Sequence, residues 1–165
     1  MFNDGMQIYT PSKTPGDAPW VTAQDCLWHA PDFIDLWYPL GTSTLYRGNE
    51  RFERLFRIML GVDNASWSHC VDQLRVEKRC AELYTDVSAL YRHIWNEVLR
   101  CESKFTDLRE HFENEDLIYH PQLGAWYPPS SCLWTSNTRT SRKVSIAHYR
   151  DLEDFFVQCL GVKEL

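Results

Sequence analysis

The sequence predicts an α+β fold: two similar ββα modules, joined by a helical spacer and packed as one mostly helical domain over residues 1–165. Three observations lead there. An ordered series of residues occurs twice, at 8–62 and at 118–162. Each series closes on apolar residues at helical spacing, and the stretch between them, 63–116, is helical in period. With 44% hydrophobic and 14% aromatic residues in 165, the chain can bury a core without disulfide or metal staples.

The first copy runs Ile8-Tyr9-Thr10-Pro11, Trp20, Cys26-Leu27-Trp28, then Phe52 to Phe56 and Leu60-Gly61-Val62; the second runs Ile118-Tyr119-His120-Pro121, Trp126, Cys132-Leu133-Trp134, then Leu152 to Phe156 and Leu160-Gly161-Val162. A β-branched and aromatic segment that stops at proline suits a short strand entering a turn. The stretch from Trp20 or Trp126 to the Cys-Leu-Trp triplet reads as the return strand of a hairpin, with Pro128 and Pro129 making the second one an edge. The eight residues between Pro11 and Trp20 read as a longer hairpin loop than the four between Pro121 and Trp126.

Both copies close on a helix. Phe52, Leu55, Phe56, Met59 and Leu60 share one face, as do Leu152, Phe155, Phe156, Cys159 and Leu160. Gly61 and Gly161 stand where a left-handed C-terminal cap is wanted. In the spacer, Asn64 or Ser66 caps a helix with Trp67, Cys70, Val71 and Leu74 inward. A longer helix from Ala81 to Cys101 turns Leu83, Val87, Leu90, Tyr91, Ile94 and Val98 to one side. A short one after Thr106 buries Leu108 and Phe112, and the acidic run 113–116 reads as a solvated turn.

Composition argues against several classes. A net charge of −6, from 17 basic and 23 acidic side chains, argues against nucleic-acid binding, which needs clustered Lys and Arg. No apolar stretch approaches a membrane span, and residues 1–22 lack the apolar centre of a signal peptide. The six cysteines lack paired CxxC spacing and read as free thiols. An intracellular location, cytoplasmic or nuclear, is the expectation.

Candidate sites are few. Cys26 and His29 have half of a zinc spacing, but Thr135 replaces His29 in the other copy, and no metal is expected. His69 and Cys70 are neighbours that a helix points about 100° apart, so they do not form a nucleophile pair. The glycines form no phosphate-cradling loop, and the acidic run lacks the alternation of a calcium loop, so no cofactor is expected. The Arg47, Arg51, Arg54 stripe, and Arg139, Arg142 and Lys143, read as solvated faces. The recurring aromatics are the sharper question. Trp20, Trp28, Trp126 and Trp134, with Tyr119, His120 and His148, are either core or a ligand or partner surface, and recurrence at matching points of two modules favours core.

The second copy, from Glu113-Asn114-Glu115-Asp116 through Pro128-Pro129-Ser130-Ser131-Cys132 to Leu160-Gly161-Val162, resembles a segment of the very large fungal proteins related to sacsin and to the plant protein NO VEIN. The resemblance implies a position downstream of a histidine kinase and Hsp90-like ATPase region, in a fragment or short paralogue of a longer array. Asp63-Asn64-Ala65 is superficially like that ATPase's Asn-Ala element, but the preceding acidic residue and the glycine boxes are absent, so no ATP-binding residue carries over. The expected role is a noncatalytic interaction or scaffold module that binds a protein partner or itself. The alternative is a small enzyme or ligand binder with an aromatic-lined cleft between the modules.

Overall fold

In the computed structural model, residues 6–11, 19–80, 87–136 and 142–164 are described. They form a mixed, mostly helical α+β structure of short strands and α, 3-10 and π turns. The chain divides into two compact units, 1–69 and 70–165. Most of the helical segment 63–116 falls in the second unit, whose core its apolar faces build.

In the first unit β1 (Gln7–Tyr9) pairs antiparallel with β2 (Trp20–Thr22), Ile8 opposite Val21 and Tyr9 opposite Trp20. A 3-10 turn at 23–25 follows, where the Asp25 carboxylate accepts from both the backbone N–H and the hydroxyl of Thr22. The chain then enters β3 (Cys26–Leu27), which pairs parallel with β4 (Tyr38–Pro39) rather than continuing the hairpin. Next, α1 (Glu50–Arg54) starts at Asn49, whose side chain accepts from the N–H groups of Arg51 and Phe52. It widens into a π-turn, Leu55–Met59, where Leu60 N–H bonds Leu55 O and Val62 N–H bonds Phe56 O. Gly61, at φ 68°, reverses the chain. Ile8, Cys26, Trp28, Leu40, Phe56 and Val62 form the core of this unit.

Residues 63–65 then return to Trp28 and His29. Trp28 N–H bonds Asp63 O, Ala65 N–H bonds His29 O, and the Asn64 side chain accepts from His29 N–H. Asn64 is thus a bracing residue, and the helix cap falls to Ser66. The imidazole of His69 accepts from Ser66 N–H at 2.9 Å, the reciprocal half of a capping box with histidine in place of the usual glutamate. This begins α2 (Trp67–Arg79), a helix that the division between the units crosses.

The second unit contains the rest of α2 and α3 (Val87–Val98), which buries Val87, Leu90, Tyr91, Ile94 and Val98 as expected; Ala81 and Leu83 lie outside the described residues. A 3-10 turn leads into α4 (Phe105–Glu115), with Leu108 and Phe112 fully buried. The hairpin β5 (Ile118–His120) and β6 (Ala125–Tyr127) sets Tyr119 opposite Trp126. Pro128 and Pro129 end β6 and start a 3-10 turn, after which β7 (Cys132–Trp134) pairs parallel with β8 (Val144–Ser145) and with β9 (Lys163–Glu164). The closing segment is a 3-10 stretch, 147–152, and a π-turn, Phe155–Cys159, with Gly161 at φ 75°.

Several expectations need correction. The Cys-Leu-Trp triplets are not return strands of the hairpins: a 3-10 turn intervenes in both units and hands them to parallel pairs. The run 113–116 is not merely a solvated turn. Glu113 and Glu115 end α4, and Asp116 takes the left-handed conformation at φ 53°. Glu113 accepts from Ser130 N–H, and Glu115 is clasped by Arg75 through two bonds of 2.7 and 2.8 Å. Met59 is half-exposed rather than inward. The loop between Pro11 and Trp20, except Pro19, and Arg139 lie outside the described residues.

Candidate functional site

The hairpins set out the predicted aromatics in the same way. Tyr9 and Trp20, directly opposite across β1 and β2, place their ring centroids 5.2 Å apart; Tyr119 and Trp126 place theirs 5.0 Å apart. Alternation along β1 turns Ile8 into the core and leaves Tyr9 and Trp20 exposed, whereas Tyr119 and Trp126 are half-buried. The second tryptophan of each copy points elsewhere. Trp28 is buried against Phe56 at 6.3 Å, and Trp134 is half-buried against Phe156 at 6.1 Å. Within each unit, then, one tryptophan stands at the hairpin and the other packs on the closing helix.

His120 and His148 do come together, their rings 4.9 Å apart. His120 is buried, with its Nδ1 accepting from Leu123 N–H, while His148 is exposed. Partial burial, and then the neighbouring His120, hold the His148 imidazole below its ordinary pKa. Tyr119 is fixed through its backbone: its N–H donates to Tyr91 Oη at 3.0 Å, and its carbonyl accepts from the Tyr149 hydroxyl.

The other candidates take structural places. Burial pushes the Cys26, Cys70, Cys132 and Cys159 thiols up to about 12, which keeps them protonated and poor as nucleophiles. Cys26 is buried beside the Thr22 carbonyl while His29 is exposed, so the half-spacing does not converge. Among the described residues no three His, Cys, Asp or Glu side chains are grouped to hold a metal ion. Nor is any described helix long and apolar enough to cross a membrane.

No family model, curated protein or solved structure matches the chain.

Sequence reasoning missed Tyr46 and Tyr149. Each donates its hydroxyl to the carbonyl of the first hairpin tyrosine, Tyr46 to Tyr9 at 2.7 Å and Tyr149 to Tyr119. Each also packs on the phenylalanine that faces the second tryptophan, at 4.9 Å from Phe56 and 5.2 Å from Phe156. The signal was a tyrosine ahead of each closing helix, hidden because the intervening stretch is three residues longer in the first copy.

Proposed function

We propose that the chain is a noncatalytic protein-interaction or scaffold module, a fragment or short paralogue of a sacsin/NO VEIN-like protein. The observation that carries this reading is the number of large apolar side chains that the first unit leaves in water. Met6, Tyr9, Trp20, Leu36, Leu45, Ile58 and Met59 are each at least 41% exposed. Scattered single apolar residues need no explanation, but seven large ones in a unit this small support the reading of an interaction surface. Tyr9 and Trp20 also have the apolar body and polar edge that interfaces favour.

The chemistry of the remaining groups agrees. Four thiols are protonated by burial, the His69 Nδ1 is spent on a helix cap, and Asn64 braces His29. The occupant is a protein partner or a second copy of the chain, in a cytoplasmic or nuclear setting. Calorimetric titration of the purified chain with ATP, ADP, Mg²⁺ and Zn²⁺ is expected to give no binding heat. Micromolar affinity for either nucleotide would overturn the reading.

A further inference from the structure

The second unit shows how the closing helix of such a module is covered. Its positions Phe155, Cys159 and Leu160 are no more than 2% exposed. The α3 side chains Tyr91 and Trp95 meet the Phe155 ring at 6.0 and 6.1 Å, and Phe112 of α4 meets it at 6.0 Å. Arg109 of α4 serves carbonyls that a π-turn leaves open, donating to Cys159 O and Gln158 O, both at 2.7 Å.

The first unit ends its helix in a turn with the same two bonds: Leu60 and Val62 donate to Leu55 and Phe56 there, as Leu160 and Val162 donate to Phe155 and Phe156. Its surface differs. Leu55 and Leu60 are half-buried and pack on the unit's own core, Met59 is 50% exposed where its counterpart Cys159 is buried, and Ile58 is 75% exposed at a position where the second unit has the exposed Gln158. The same segment and the turn before it carry Arg47, Arg51, Arg54 and Arg57, against Glu50 and Glu53, one of which already pairs with Arg57.

We propose that this uncovered face of α1 and its π-turn docks an acidic amphipathic α-helix of a partner protein. The proposal rests on the protein-binding reading above and names the partner's chemistry. Two apolar side chains four residues apart on the incoming helix cover Ile58 and Met59, and flanking carboxylates meet the arginines of the same segment. The chain's own α4 is a helix of this type: Leu108 and Phe112 lie on one face, with Asp107, Glu110, Glu113 and Glu115 against a single basic residue, Arg109. It therefore serves as the probe.

The test measures fluorescence anisotropy of a labelled peptide of residues 104–116, titrated with the full chain. Saturable binding is expected, weakened at least about tenfold by Ile58→Asp and by the double change Arg51→Glu with Arg54→Glu. All three residues are exposed, so the variants should keep the fold, which near-ultraviolet circular dichroism checks. A peptide with Leu108 and Phe112 replaced by serine should not bind. No saturable binding to the unaltered chain, or equal binding by the Ile58→Asp variant, would overturn the proposal. A dimer seen by light scattering that Ile58→Asp dissolves would overturn it too, by making a second copy the occupant. A nucleotide signal in calorimetry removes the interaction reading whatever the peptide does, so the two failures are distinguishable.

Discussion

Gly41 is the residue where sequence and backbone meet most tightly. Its N–H donates to Trp28 O at 2.7 Å, and a Cβ built there would stand 2.5 Å from that same oxygen. Gly61 has positive φ but open space around it, and Gly161 has positive φ with Arg109 at 3.4 Å. Two mechanisms therefore separate the glycines. Gly41→Ala forces backbone apart in the core and is expected to cost about 1–3 kcal/mol. Gly61→Ala strains only a left-handed residue, at about 1 kcal/mol. Urea unfolding checks the order, and an equal or larger loss for Gly61→Ala would contradict it. Gly61 and Gly161 were legible in the sequence because each follows an apolar helical run. Gly41 was not, because a close approach between distant segments leaves no local pattern.

At the scale of elements, two side chains tie helices to what they pack on. Tyr91 of α3 is fully buried; it donates to Leu117 O at 2.7 Å and accepts from Tyr119 N–H at 3.0 Å. Tyr91→Phe keeps the ring but leaves a buried carbonyl and a half-buried N–H without the hydroxyl. A loss of about 1–3 kcal/mol in chemical denaturation is expected, and a neutral result would mean that the entry to β5 rearranges. Arg75 of α2 grips Glu115 at the end of α4, with Asp72 and His111 beside it. The hydrogen bond from Arg75 holds the Glu115 carboxyl below its ordinary 4.5. Glu115 binds a proton more readily unfolded than folded, so its contribution is fully present above pH 4.5 and is lost as pH falls through the folded value. Both side chains are about one-third exposed, and solvent keeps the contribution small. Glu115→Gln should flatten the acid limb of stability against pH, and an unchanged limb would remove Glu115 from it.

The elements differ in how far they could be read. The faces of α3, α4 and the second closing helix followed from apolar period, because burial of one helix face imposes it over several turns. The parallel pairs β3 with β4 and β7 with β8 were invisible: two-residue ladders carry no alternation, and their partners lie 12 residues apart. The 3-10 turn between β2 and β3 was hidden for a related reason. Thr22 and Asp25 hold it with side-chain bonds that a strand-forming sequence also permits. The candidate aromatics were found by recurrence, but recurrence cannot tell an outward hairpin residue such as Trp20 from a core one such as Trp28.

For the whole molecule, the two units have different side chains at their centres. Ile8, Cys26, Trp28, Leu40, Phe56 and Val62 make one core, and Tyr91, Phe112, Phe155 and Phe156 are the largest fully buried residues of the other. Trp28→Ala removes an indole that is 3% exposed and should cost the first unit about 3–5 kcal/mol. Trp134→Ala, at a half-buried position, should cost its unit less. Local openings govern amide exchange, so the effect should be visible residue by residue. In Trp28→Ala, the amides of Gly41 and Val62, which bond Trp28 O and Phe56 O, should exchange roughly a hundredfold faster or more. The amides of Tyr119 and Val162, bonded to Tyr91 Oη and Phe156 O, should keep their rates. Phe156→Ala should reverse the pattern, exposing Val162 and sparing Gly41. Hydrogen exchange read by nuclear magnetic resonance distinguishes the cases, and equal acceleration in both units from either substitution would show one cooperative core in place of two.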